Sequence, residues 1–209
     1  MKVLVLGATG GTGRHIVREA QARGHSVTAL VRSRDRAQDL AGARLVEGNA
    51  LDEGALFKAL EDCDAVISAL GTGVSPFKEV TLLSKATEAL IAAMQKRDVR
   101  RLVCITGMGA GDSKGHGGFL YDRLIQPFLL RKVYEDKDRQ EALVRGSGLD
   151  WVLVRPTVLD DKPATGLLRA FSDLSGFHGG TISRADVAQF VVAQLTGDDW
   201  LGRAPLVTR

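Results

Sequence analysis

Gly7-Ala8-Thr9-Gly10-Gly11-Thr12-Gly13 follows directly on the apolar run Val3-Leu4-Val5-Leu6, and the segment behind it carries Ile16, Val17 and Ala20 at helical spacing. A strand, a glycine-rich turn and a helix in that order form a phosphate-binding junction. Gly7 lets the chain turn off the strand, Gly10 lets the backbone approach a pyrophosphate with no Cβ between them, and Gly13 lets the helix pack close to the sheet. Thr9, Gly11 and Thr12 complete the loop, where the first N–H groups of the helix offer a partial positive charge. The competing reading is a glycine-rich turn with no ligand. Its place at the first strand–helix junction of a longer alternating chain favours the nucleotide.

Outward from the loop, strand and helix patterns alternate. Further strands are expected at Ser26–Val31, Arg44–Glu47, Ala65–Leu70, Arg101–Thr106 and Trp151–Val154, the last closed by Pro156, with short ones near Thr181 and Leu206. Helices are expected around Leu56 and Leu60, from Val80 to Lys96, before and after Pro127, from Tyr134 to Arg145 and from Arg184 to Leu195, with a second helix starting near Asp35. The strands are continuous apolar runs, the pattern of strands covered on both faces. This predicts a single-domain α/β fold over residues 1–209, a Rossmann-like doubly wound parallel sheet with helices on both faces. Gly107–Gly118 is the stretch expected to be mobile. The substrate site is expected in loops at the carboxyl ends of the strands, together with the C-terminal segment.

Composition narrows the function classes. The 209 residues are 44% hydrophobic and 25% charged, an ordinary balance for a domain that buries its own core. The net charge of +3 suits an anionic ligand, and the absence of a long basic run argues against nucleic acid. Cys63 and Cys104 stand alone, and His15, His25, His116 and His178 show no metal-ligand spacing, so no metal site is expected. No stretch has the roughly 20 apolar residues of a membrane span. The opening run is shorter than the roughly 7–15 apolar residues of a signal peptide, so a cytoplasmic location is expected.

The Gly-Ala-Thr-Gly-x-Thr-Gly opening resembles the atypical short-chain dehydrogenase/reductases, in their NAD(P)H-binding branch. Gly48-Asn49-Ala50-Leu51-Asp52 is similar to that family's segment after the third strand. Ser147-Gly148-Leu149-Asp150-Trp151 followed by Arg155-Pro156-Thr157 is similar to its Ser-Gly-Leu and Arg-Pro segments. The length and Gly71-Thr72 after the fourth strand most resemble the flavin reductase/biliverdin reductase B type. The resemblance implies that Asn49 contacts the adenine and that Ala50, Leu70, Gly71 and Thr72 contact the cofactor. It places Thr106, Pro156, Thr157 and Val158 at the reacting end.

The end of the second strand indicates which dinucleotide is bound. An acid about 20 positions past the glycines binds the ribose hydroxyls in NAD sites. Arg32 occupies that place. A guanidinium pairs bidentately with a 2′-phosphate that an acid would repel, which points to NADP(H). A solvated basic turn is the alternative.

At the reacting end the family's Tyr-x-x-x-Lys pair is broken. Tyr134 lies three residues before Lys137, about 100° around a helix from the expected position. Lys137 and Glu141 resemble the family's Lys-x-x-x-Glu, which implies a ribose contact for Lys137. Tyr134 and Thr106 are candidate proton or hydrogen-bond donors. The Arg-Pro segment carries Thr157 and no histidine, unlike the biliverdin reductases. His116 and His178 sit in glycine-rich loops, either lining a substrate mouth or inert. Ser183 and Asp186 fit a helix cap.

Two functional readings follow. One is an NADPH-dependent reductase of a small aromatic acceptor such as a flavin or quinone, acting as a monomer or small homo-oligomer. Its hydride chemistry belongs to the cofactor. The other is a non-catalytic NAD(P)-binding redox sensor. A sugar-nucleotide epimerase is disfavoured by the short C-terminal region.

Overall fold

The structure is a computed structural model and describes residues 1–73, 79–116, 123, 128–177 and 179–209. The strands β1 (Lys2–Leu6), β2 (Ser26–Val31), β3 (Arg44–Glu47), β4 (Ala65–Ser68), β5 (Arg101–Ile105) and β6 (Asp150–Pro156) pair in the order β3-β2-β1-β4-β5-β6, all parallel. This is the Rossmann order, with its direction reversing between β1 and β4.

The helices are α1 (Gly11–Ala22), α2 (Glu53–Ala59), α3 (Leu82–Lys96), α4 (Arg131–Gly146) and α5 (Arg184–Ala193). Alternation along β1 divides the core into two. Val3 and Val5 face Ile16, Val17 and Ala20 of α1 and Val187, Ala188 and Val191 of α5. Leu4 and Leu6 face Leu56 of α2, Leu90 and Met94 of α3 and Val144 of α4. Each such side chain, fully buried, contributes roughly 1.5–3 kcal/mol. Both strand faces are therefore dry, which is why the sequence shows apolar runs where an exposed sheet would alternate.

The tail departs from the expected pattern. β7 (Val158–Asp160) pairs with β9 (Thr181–Ser183) in a separate two-stranded sheet. β10 (Leu206–Thr208) extends the main sheet beside β6, and β8 (Arg169–Phe171) closes its edge antiparallel to β10. The sheet is thus mostly parallel, and β7 and β8 are additions to the sequence reading. The helix expected from Asp35 is a single 3-10 turn, Arg34–Ala37, so β2 and β3 are joined without an α-helix and α2 follows β3. β6 does not close before Pro156 but includes it, because Pro156 lies opposite Val207 where its carbonyl accepts from Met108. The helix expected before Pro127 lies outside the described residues.

The loop expected to be mobile is tied down over its first half. It forms a 3-10 turn, Gly111–Ser113. Ser113 Oγ accepts from Gly109 N at 2.9 Å, and Asp138 accepts from Gly111 N at 2.8 Å and from Lys114 Nζ at 2.5 Å. Residues 117 and 118 lie outside the described residues.

Candidate dinucleotide site

The cleft opens at the carboxyl ends of β1, β2 and β4, where the strand order reverses, and encloses about 420 Å³. Gly7, Thr9 and Gly10 form its floor. Arg32, Asn49 and Ala50 stand on the β2–β3 side, and Leu70 and Gly71 on the β4 side. Eight of the expected cofactor residues are therefore in one place.

The glycines of the loop differ in what they do. Gly7 has φ +75, and a Cβ there would run into the Ala69 backbone. A Cβ on Gly13 would strike the Gly7 carbonyl, so the helix packs this closely only with glycine. At Gly10 a Cβ would meet only the Gly7 oxygen, at 3.2 Å. That contact is tight but falls short of the clashes at Gly7 and Gly13, so packing demands glycine less strictly here, and a ligand laid on the loop would add to the demand.

The N-terminus of α1 is open. Gly10 provides no side-chain cap, and the first turn holds no acid. In α2, α3 and α5 the first-turn N–H groups have side-chain acceptors, whereas α4, like α1, has neither a capping side chain nor an acid in its first turn. Asp52 caps α2, Asp136 accepts from Leu83 and Ser84 of α3, and Ser183 caps α5 by accepting from Asp186 N at 3.0 Å. An uncapped terminus at the cleft floor fits the pyrophosphate of a dinucleotide. Arg14 braces the loop from behind, donating to the Thr9 carbonyl at 3.1 Å and pairing with Asp39.

At the rim, Arg32 is joined by Arg36, which the sequence reading missed. The 3-10 turn brings the two guanidinium side chains to one cleft. No Asp or Glu lies among its described lining residues. Asn49 Oδ1 accepts from Leu51 N at 3.1 Å, which leaves its amide N–H groups for a ligand edge.

A second cluster lies at the ends of β5 and β6. Lys137 Nζ donates to the Thr106 carbonyl at 2.7 Å, and Tyr134 Oη donates to the Met108 carbonyl at 2.7 Å. Both side chains crowd Gly107, where a Cβ would sit 2.8 Å from Lys137 Nζ and 3.8 Å from Tyr134 Oη. Burial pushes the Lys137 ammonium down to about 8, against the opposing pull of Glu141. The Thr106 hydroxyl turns away from this group and donates to Glu141 Oε1 at 2.8 Å.

Beneath them Arg155 grips Glu141, and Asp112 reaches in from the loop to Arg155 Nη1 at 2.5 Å. Burial would raise the Asp112 carboxyl, but its hydrogen bond to Arg155 and the Arg155 charge outweigh that and hold it below its usual value. The sequence pattern marks neither Arg155 as the partner of Glu141 nor Asp112 as a second partner of Arg155.

The remaining expected residues are dispersed. Thr157 buries its side chain and donates to Thr208 Oγ1 at 3.1 Å, and Pro156 is buried in β6. Val158 is the exposed residue at this strand end. Thr72 Oγ1 donates to the Gly73 carbonyl at 3.4 Å. Gly11 and Thr12 begin α1. His116 Nδ1 lies 3.1 Å from the Phe177 carbonyl, and His178 lies outside the described residues. Burial raises the Cys104 thiol to about 12, so it is a core residue without thiolate character. Among the described residues no group of acids, histidines and cysteines is arranged to hold a metal, and no helix is long and apolar enough to cross a membrane.

A family model described as NAD(P)H-binding matches residues 7–198, and the chain belongs to that family. The sequence is 32% identical over 216 residues to a Bacillus subtilis protein named uncharacterized sugar epimerase YhfK, covering 98% of this chain and 92% of that protein. It is 28% identical over 213 residues to the (4-alkanoyl-5-oxo-2,5-dihydrofuran-3-yl)methyl phosphate reductase of Streptomyces griseus, covering 99% of this chain and 67% of that protein. Among solved structures, ChuY, an anaerobillin reductase from Escherichia coli O157:H7, superposes with a TM-score of 0.85 at 25% identity, covering all of this chain and 97% of ChuY.

Proposed function

We propose that the protein is an NADPH-dependent reductase that passes hydride to a flat aromatic acceptor such as a flavin or quinone. The observation that carries the cofactor choice is the pair of guanidinium groups, Arg32 and Arg36, on the rim of a cleft whose described lining holds no acid. A 2′-phosphate pairs with such groups, whereas a bare ribose gains little from them.

Bound NADPH supplies the hydride. The chain binds and orients it. The open first turn of α1 holds the pyrophosphate, Arg32 and Arg36 hold the 2′-phosphate, and Asn49 offers its amide to the adenine. Lys137, braced on the Thr106 carbonyl, stands ready for the ribose at the reacting end.

The choice of acceptor rests on proton bookkeeping. The Tyr134 proton is given to the Met108 carbonyl and the Thr106 proton to Glu141. Neither hydroxyl is poised as a general acid, and a flavin or quinone can take its proton from water. ChuY and the Streptomyces relative, both named reductases, support reduction as the reaction type.

The test is titration of NADPH and NADH into wild type and Arg32→Glu. One charge-assisted contact is worth about 1.5–3 kcal/mol, roughly a 10–150-fold preference for NADPH. The variant should lose that preference. Equal affinities in the wild type would contradict the assignment.

A further inference from the structure

Gly11 is a glycine for a reason different from its neighbours. It is the first residue of α1 and is absent from the left-handed region of backbone space. No backbone atom stands where its Cβ would be. What stands there is the Arg184 side chain, with Nε at 2.9 Å, Cδ at 3.0 Å and Cζ at 3.7 Å. The missing Cβ is a seat for a guanidinium.

Arg184 is delivered to that seat by rigid structure. It opens α5, directly after the Ser183 cap, and α5 packs on α1 through Val187, Ala188 and Val191. Its Nη1 donates to Asp161 Oδ1 at 2.9 Å. The Asp161 side chain is 84% exposed while that of Arg184 is 26% exposed. An ion pair with so exposed a partner is weak and easily exchanged. A permanent cation thus lies against an uncapped helix N-terminus and is paired with an acid that costs little to release.

We propose that Arg184 is a diphosphate-binding residue of the dinucleotide site, exchanging Asp161 for the cofactor's pyrophosphate when the site fills. The C-terminal segment thereby contributes directly to cofactor binding. This rests on the reading of the cleft as an NADPH site. It assigns Arg184 a role distinct from Arg32: Arg32 reads the 2′-phosphate and separates NADPH from NADH, whereas Arg184 reads the group that both share.

The experiment titrates NADPH, NADH and ADP-ribose into wild type, Arg184→Gln, Arg184→Lys and Gly11→Ala, with thermal melts to verify folding. Arg184→Gln should weaken all three ligands by about tenfold, the low end for a charge-assisted contact. It should also flatten the dependence of affinity on salt. Arg184→Lys keeps the charge and should recover part of the loss. Gly11→Ala pushes the guanidinium off its seat, so it should weaken binding in the wild-type background and add nothing in Arg184→Gln. Asp161→Asn should bind as tightly as wild type or more tightly.

Tight wild-type binding with unchanged affinity in Arg184→Gln would overturn this proposal alone. So would a loss confined to NADPH, which would make Arg184 a 2′-phosphate reader. A wild type that binds none of the three would overturn the reductase reading and this proposal with it.

Discussion

Glu141 on α4 and Arg155 in β6 form a two-point ion pair inside the protein, Arg155 Nε to Glu141 Oε1 at 2.9 Å and Nη2 to Oε2 at 2.5 Å, with both residues at most 2% exposed. The pair joins the helix that carries Tyr134 and Lys137 to the strand that leads to Pro156. Thr106 and Asp112 attach to the same two groups, so the ends of β5 and β6 and the loop between β5 and α4 are held as one unit.

Removing one partner should therefore cost far more than removing both. Arg155→Met strands a buried carboxylate and is expected to cost about 3–5 kcal/mol of stability. Adding Glu141→Leu to that variant should recover much of the loss. Urea unfolding of the single and double variants measures both terms. A single-variant cost below about 1 kcal/mol would show that the pair is solvated.

Lys137 gives cofactor binding a pH signature. Its ammonium is pushed by burial to about 8, from an ordinary lysine value of 10.5. The charged form is the one that donates to a ribose, so it is present below about pH 8 and lost as pH rises through that value. The KM for NADPH should rise above pH 8 in the wild type. In Lys137→Met it should be higher throughout and show no inflection there.

The phosphate loop separates packing from binding. Gly10→Val should leave a folded protein that no longer binds NADPH, because its Cβ stands 3.2 Å from the Gly7 oxygen, a milder contact than at Gly13, while its side chain fills space over the phosphate loop. Gly13→Ala should lower the melting temperature, since its Cβ meets the Gly7 carbonyl. Thermal melts with and without NADPH distinguish the two. Tight binding by Gly10→Val would remove the loop from the site.

Tyr134→Phe tests the acid question. Its hydroxyl is spent on the Met108 carbonyl. Turnover with a flavin or quinone should fall less than tenfold, under about 1.4 kcal/mol of barrier. A general acid typically contributes roughly 10²–10⁴-fold, so a loss of that size would make Tyr134 the proton donor.

Much of this architecture is legible in the sequence, for identifiable reasons. β1, β2, β4, β5 and β6 announce themselves because both of their faces are largely buried, as Val3 and Val5 on one side and Leu4 and Leu6 on the other illustrate, whereas the edge strand β3 has exposed ends. The glycine loop is legible because its constraints are local. β7 and β8 are three residues each and hold together by pairing with distant strands, so they leave no periodic signal. Arg36 stood in plain view one turn beyond Arg32, but only the 3-10 turn brings it to the cleft. The seat of Arg184 on Gly11 and the grip of Arg155 on Glu141 join segments that nothing in the local sequence connects.

The reductase assignment turns on steady-state NADPH and NADH oxidation by the purified protein, with a flavin, a quinone and a simple aldehyde as acceptors. Turnover is expected with the flavin or the quinone, with a clear preference for NADPH and little activity on the aldehyde. Tight NADPH binding without turnover on any acceptor would contradict it and favour a redox sensor, and turnover confined to the aldehyde would make the protein a carbonyl reductase.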